Sequence, residues 1–116
     1  MEKTLHIGGR DVRFKATAAT LIRYKAETGS EFLRDCAMMS QAVGTDADGN
    51  AVLRNAAMLN VDIAFGLAWA MAKTADKSIP DMLTWLDTFD DFDIQLVMSE
   101  LFSMINAFLK VDAKNG

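Results

Sequence analysis

Hydrophobic positions along this chain change period as it proceeds. From Glu2 to Lys15, Leu5, Val12 and Phe14 fall on one face of an alternating pattern. Glu2, Thr4, His6, Asp11, Arg13 and Lys15 fall on the other. A period of two is the signature of a half-buried strand. Gly8-Gly9 supplies the positive-φ pair that a two-residue type I′ turn needs. The pattern therefore predicts a hairpin over 2–15, with Leu5 opposite Val12, His6 opposite Asp11, Thr4 opposite Arg13 and Glu2 opposite Lys15. A lone hairpin is marginal in water and must lean on helices.

Helical spacing takes over after Thr17. That residue can cap a helix over 18–28, with Leu21, Ile22 and Tyr24 on its apolar side and Gly29 as its stop. Ser30 can cap a second helix over 31–43, in which Glu31 meets the positive end of the dipole and Phe32, Leu33, Cys36 and Met39 are apolar. The stretch GTDADGN then reads as a loop. A third helix, over 55–75, is apolar almost all round. Only Asn55, Asp62, Gly66 and Lys73 form a polar strip, which marks the central helix or one covered by another subunit. Asn60 falls inside its apolar part and needs a hydrogen-bond partner there.

The next stretch, IPDMLTWLDTFDDFD (79–93), packs five aspartates among three aromatic rings. Ser78 and Asp81 have capping-box spacing, and Pro80 is tolerated in a first turn, which predicts a helix over 79–89. Continuing that helix would drive Asp90 into its apolar arc. Asp90 is better placed as the cap of a last helix over 91–110, with Phe89 and Ile94 as a hydrophobic staple and Asp91 and Asp93 in the first turn. Each acid then has a structural role at a helix end, with a divalent-metal or acid/base site and an acidic docking edge as the lesser readings. Ile94, Leu101 and Ile105 centre the last apolar arc, flanked by Val97, Met104 and Phe108 on one side and Met98, Phe102 and Leu109 on the other. The expected fold is α+β and mostly α-helical, with the N-terminal hairpin packed on about five helices in one domain spanning 1–116.

Composition sharpens this picture. A chain of 116 residues with 51% apolar side chains can fold around one core without disulfides or metal. Cys36 is its one cysteine, which excludes an internal disulfide and a cysteine-rich zinc site. No signal-like or membrane-spanning run is evident, so a soluble protein of a reducing cytoplasm is expected. The net charge is −4, unevenly spread. Residues 1–40 carry seven basic and five acidic side chains, a net of +2, whereas 76–116 carry three and eight, a net of −5. That polarity favours head-to-tail self-association, though solvated surface charge also accounts for it.

Candidate chemistry is thin. TDADGNAV has some calcium-loop character, but from Asp46 the glycine arrives too early and Ala57 stands where the chelating Glu belongs. His6 beside Asp11 reads as a cross-strand surface pair rather than a catalytic dyad. Cys36, on an apolar face, reads as a small buried hydrophobe. No catalytic residue, metal ligand or cofactor site is expected. Arg10, Arg13, Lys15, Arg23 and Lys25 make a modest basic patch, which leaves a small α-helical DNA-binding or regulatory protein as the alternative reading. The acid excess and the lack of a basic recognition helix argue against nucleic acid. An apolar surplus remains, including eight methionines, which suit either a methionine-rich core or an adaptable partner surface.

The order of features resembles the tail assembly chaperones of long-tailed phages and of prophages in Gram-positive bacteria. The likeness is carried by FKATAATLIRYKAETG (14–29), by the following SEFLRD, by LAWAMAKTADKSIPDMLTWLDTFDDFDI (67–94) and by the apolar closing helix. It covers most of the chain; Gln41–Leu53 gives no guidance. The resemblance implies a non-enzymatic protein of the host bacterial cytoplasm, absent from the mature virion. Its client would be the tape measure protein, kept soluble while tail tube subunits polymerise around it. It also implies a homo-oligomer and, in a longer frameshifted form, contact with the tail tube protein. A client helix would lie in an apolar groove. Met98, Phe102, Phe108 and Leu109 are the expected wall, and Trp69 and Trp85 the expected anchors, unless both are core.

Overall fold

A computed structural model describes residues 1–45, 47–48, 51–54 and 60–109. Its architecture is α+β and mostly helical, with the N-terminal hairpin packed against helices. Strands β1 (Glu2–Ile7) and β2 (Arg10–Lys15) pair antiparallel in the expected register. Gly8 and Gly9, at φ 56° and 81°, make the turn. Ile7, Val12 and Phe14 are buried, while His6, Asp11 and Arg13 face outward.

Helix α1 (Ala18–Thr28) begins with a capping box in which Thr17 and Thr20 each bond the other's backbone N–H. It stops at Gly29, whose φ of 76° lets its N–H reach the Lys25 carbonyl. Helix α2 spans Phe32–Met39, shorter than the 31–43 expected. After Met39 the backbone turns through Gln41 and Ala42 into strand β3 (Val43–Thr45), paired antiparallel with β4 (Ala51–Leu53). Gly44 and Thr45 of the expected loop thus belong to a strand, and its described residues Ala47 and Asp48 make a turn. Ser30 does not cap α2 either: Glu31 holds the N-cap position without a side-chain bond, and Ser30 instead accepts from Arg34 Nη2 at 2.7 Å.

Helix α3 (Val61–Ala75) is the centre of the fold and packs on β2, α1, α2 and the later helices. Gly66 through Ala72 are all buried. Gly66 is polar only in name: it lies where α1 crosses, so a Cβ there would come within 2.9 Å of the Tyr24 ring. Asn60 is not inside the helix but caps it, accepting from the N–H groups of Asp62 and Ile63. The part of the predicted helix over 55–59 lies outside the described residues.

Helix α4 is a short turn, Met82–Leu86, with Asp81 as its own N-cap. The expected capping box fails because the residue before a proline is held extended, so Ile79 and Pro80 delay the start. Ser78 turns back to the Asp76 carboxylate at 2.7 Å. Helix α5 (Ile94–Leu109) likewise begins later than expected. Its cap is Asp93, which accepts from the Leu96 N–H, rather than Asp90. Phe92, not Phe89, then precedes the cap. Phe65, Trp85, Phe89 and Phe92 meet edge to face at centroid distances of 5.0–6.3 Å. Asp81 and Asp93 do close helix starts, one turn later than the spacing implied, whereas Asp90 and Asp91 lie in the connection between α4 and α5. No helix among the described residues is long and apolar enough to cross a membrane.

Candidate docking groove

The six residues expected to meet a partner are placed mainly inside. Trp69 is buried and donates from Nε1 to the Pro80 carbonyl at 2.8 Å, tying α3 to the start of α4. Trp85 is buried against Phe89. Met98 and Phe102 are buried on α5; Phe108 and Leu109 are half-buried and packed on the core. Most of the wide apolar arc is therefore covered in this conformation, although Leu96 on α5 is 42% exposed, and more open apolar surface lies elsewhere.

It lies on the other helices, and its origin is local. Adjacent helix positions point about 100° apart, so a helix that meets the core along a narrow face buries only one of two neighbouring large apolar residues. Four doublets on α1, α2 and α4 split in this way, whereas α5 buries both members of Val97–Met98, Leu101–Phe102 and Met104–Ile105. Phe32 and Met39 are buried, Leu21 and Met82 are half-buried, and the partner of each faces out: Leu33 is 51% exposed, Met38 48%, Ile22 72% and Leu83 68%. Of the methionines among the described residues, Met39, Met71, Met98 and Met104 belong to the core. Met38 and Met82 instead line an open groove of about 750 Å³ where the end of α1, helix α2 and the starts of α3 and α4 converge.

Met38, Ile63 and Met82 give this groove its apolar lining; Glu27, Arg34, Asn60 and Asp62 give it a polar rim. Its inner wall holds a buried polar pair. The Tyr24 hydroxyl donates to Asp35 Oδ2 at 2.6 Å, and Arg34 Nε lies 3.5 Å from Oδ1. Burial alone would raise the Asp35 pKa. Hydrogen bonds from Ser30 and Tyr24 and the Arg34 charge outweigh it and hold the carboxyl below its ordinary range. Burial first, then the hydrogen bond to Asp35 and the charge of that carboxylate, push the Tyr24 phenol well up. The wall is thus a charged, fully bonded anion at neutral pH, and it fixes α1 to α2. Glu27 also accepts from the Met82 N–H at 3.0 Å, which sets the position of α4 across the groove mouth.

The other reactive groups are occupied or inert. Cys36 is buried and its thiol is pushed up to about 12, by burial and then by Asp35, so the thiolate is scarce. His6 and Asp11 meet at 3.0 Å with both side chains open to solvent on the outer face of the hairpin. Among the described residues, no cluster of three or more His, Cys, Asp or Glu could hold a metal. The calcium-like positions Asp46, Gly49 and Ala57 lie outside those residues. In a second cleft, Arg10 stacks on Phe89 at 3.8 Å and donates to Thr88, while Arg13 donates to the Ala75 carbonyl at 2.5 Å. Lys25 pairs with Glu31. Much of the basic patch is engaged by its own chain.

Sequence patterning missed the groove because it assigned apolar residues to faces element by element. The doublets Phe32–Leu33, Met38–Met39 and Met82–Leu83 carried the available signal. Comparison with protein-family models, with characterised proteins and with solved structures finds no match to this chain.

Proposed function

We propose that this protein is a phage tail assembly chaperone that binds the tape measure protein and keeps it in solution while the tail tube forms. The reading begins in the resemblance of 14–35 and 67–94 to that family. The observation that carries it further is the open groove between α1, α2, α3 and α4. Its flexible Met38 and Met82 side chains and its Ile63 can take up spaced apolar anchors of an amphipathic helix without demanding one sequence. Exposed Leu33, Ile22 and Leu83 add apolar surface on the same three short helices.

A chaperone needs many modest contacts along a long client rather than one tight one, so that tube subunits can displace it. Adaptable methionine contacts suit that demand. On this reading the chain is non-enzymatic, uses no cofactor, acts in the host bacterial cytoplasm as a homo-oligomer and is left out of the virion. A longer frameshifted form would add contact with the tail tube protein. Co-expression with the cognate tape measure protein tests the proposal. The chaperone should move the tape measure into the soluble fraction and co-purify with it. A tape measure that stays insoluble, with nothing co-purifying, would overturn it.

A further inference from the structure

The groove has a charge as well as an apolar lining. Glu27, Asp35 and Asp62 line it against one guanidinium, that of Arg34. Arg34 lies against Asp35, and neither Glu27 nor Asp62 forms an ion pair among the described residues. The rim is therefore net negative around a Met38–Ile63–Met82 lining. Resting on the chaperone reading above, we infer that the groove selects client helices whose apolar stripe is flanked by Lys or Arg.

The physical argument is one of complementarity. A basic flanking residue at the rim meets uncompensated carboxylates beside low-dielectric surface, whereas an acidic one meets like charge. Asp35 contributes indirectly: it holds the Arg34 guanidinium, which is then not paired with Glu27 or Asp62. Lysine and arginine stems can also lie along Met38 and Met82 while their charged ends reach the rim. The same field repels phosphate, so the groove is a poor seat for a nucleic-acid backbone.

The test uses overlapping peptides that tile the cognate tape measure protein, together with the full-length client, against the whole chaperone chain. Segments that bind should be amphipathic with flanking Lys or Arg. Their affinity should fall as sodium chloride rises. Asp62→Lys should weaken binding about tenfold and improve binding of a peptide whose flanking bases are changed to Glu. Asp62→Asn, which keeps size and removes charge, should give the intermediate loss and guards against a folding defect in the lysine variant. Binding of tape measure peptides with no dependence on salt, on flanking charge or on Asp62 would overturn the charge selection and leave the chaperone reading standing. If neither peptides nor the full-length client bind, both fall.

Discussion

The Tyr24 hydroxyl on α1 donates to the Asp35 carboxylate on α2 at 2.6 Å, and both residues are buried. This bond is the main polar tie between the two helices and forms the inner wall of the groove. A buried hydrogen bond to a charged group is costly to leave half made. Tyr24→Phe and Asp35→Asn should each destabilise the fold by about 1–3 kcal/mol in urea denaturation. The double variant should cost clearly less than the sum, because the second change removes a group already left without its partner.

Stability should also follow pH at both ends. The folded Asp35 carboxyl is held below its ordinary value, so its contribution is complete above about pH 4 and is lost as pH falls through its folded pKa. Asp76, bonded by Ser78, and Asp81, bonded by Thr84, are depressed too and act in the same direction. Cys36 and Tyr24 are raised, so stability should decline once pH passes the ordinary thiol value of about 8.5 and then the ordinary phenol value of about 10. Thermal melts across pH would show it. Asp35→Asn should flatten the acid limb, and Cys36→Ala the first part of the alkaline one.

The hairpin tip is fitted to the segment that joins α4 to α5. Gly8 has φ of 56°, and a Cβ there would lie 2.6 Å from the Asp91 carbonyl oxygen. Gly9 has φ of 81° but nothing within 4 Å. Gly9→Ala should cost about 1–2 kcal/mol from backbone strain alone. Gly8→Ala should cost more, because the tip must also back away from Asp91. Equal losses in chemical denaturation would mean that the contact is dispensable.

Gly66 poses a sharper test, since alanine is the better helix former by about 1 kcal/mol. Its Cβ would meet Tyr24 Cε1 at 2.9 Å and Thr28 Cγ2 at 3.1 Å. Tyr24 is held by Asp35 and cannot swing aside freely. Gly66→Ala should therefore destabilise by about 1–3 kcal/mol, as overpacking does, despite the gain in propensity. An alanine variant of higher melting temperature would show that α1 can shift away from α3.

Much of the fold was legible because strong local signals agreed with it. Gly8-Gly9 and the alternation around it set the register of β1 and β2, and Thr17 and Gly29 bounded α1. Helix starts were less legible. The apolar arc and the Phe89–Ile94 staple favoured Asp90 as the cap of α5, but the packing of Phe92 among Phe65, Trp85 and Phe89 goes with capping one turn later, at Asp93. The β3–β4 hairpin was missed because its strands span only three residues each, too few for a period to declare itself. The expected anchors Trp69 and Trp85 and the expected wall residues Met98 and Phe102 were drawn from strongly apolar helix faces, which is where a core also forms, and all four are buried. The groove comes from four elements meeting, a relation that no single stretch of sequence encodes.

The most direct test of the chaperone reading is recovery of the cognate tape measure protein in the soluble fraction with wild-type chaperone and with Met38→Glu. Met38 is exposed, so this change should leave the chaperone folded, as its melting curve would verify. The wild type should bring the tape measure into solution and co-purify with it, and Met38→Glu should lose most of that recovery. A tape measure protein that is no more soluble with the wild type than without it would contradict the account.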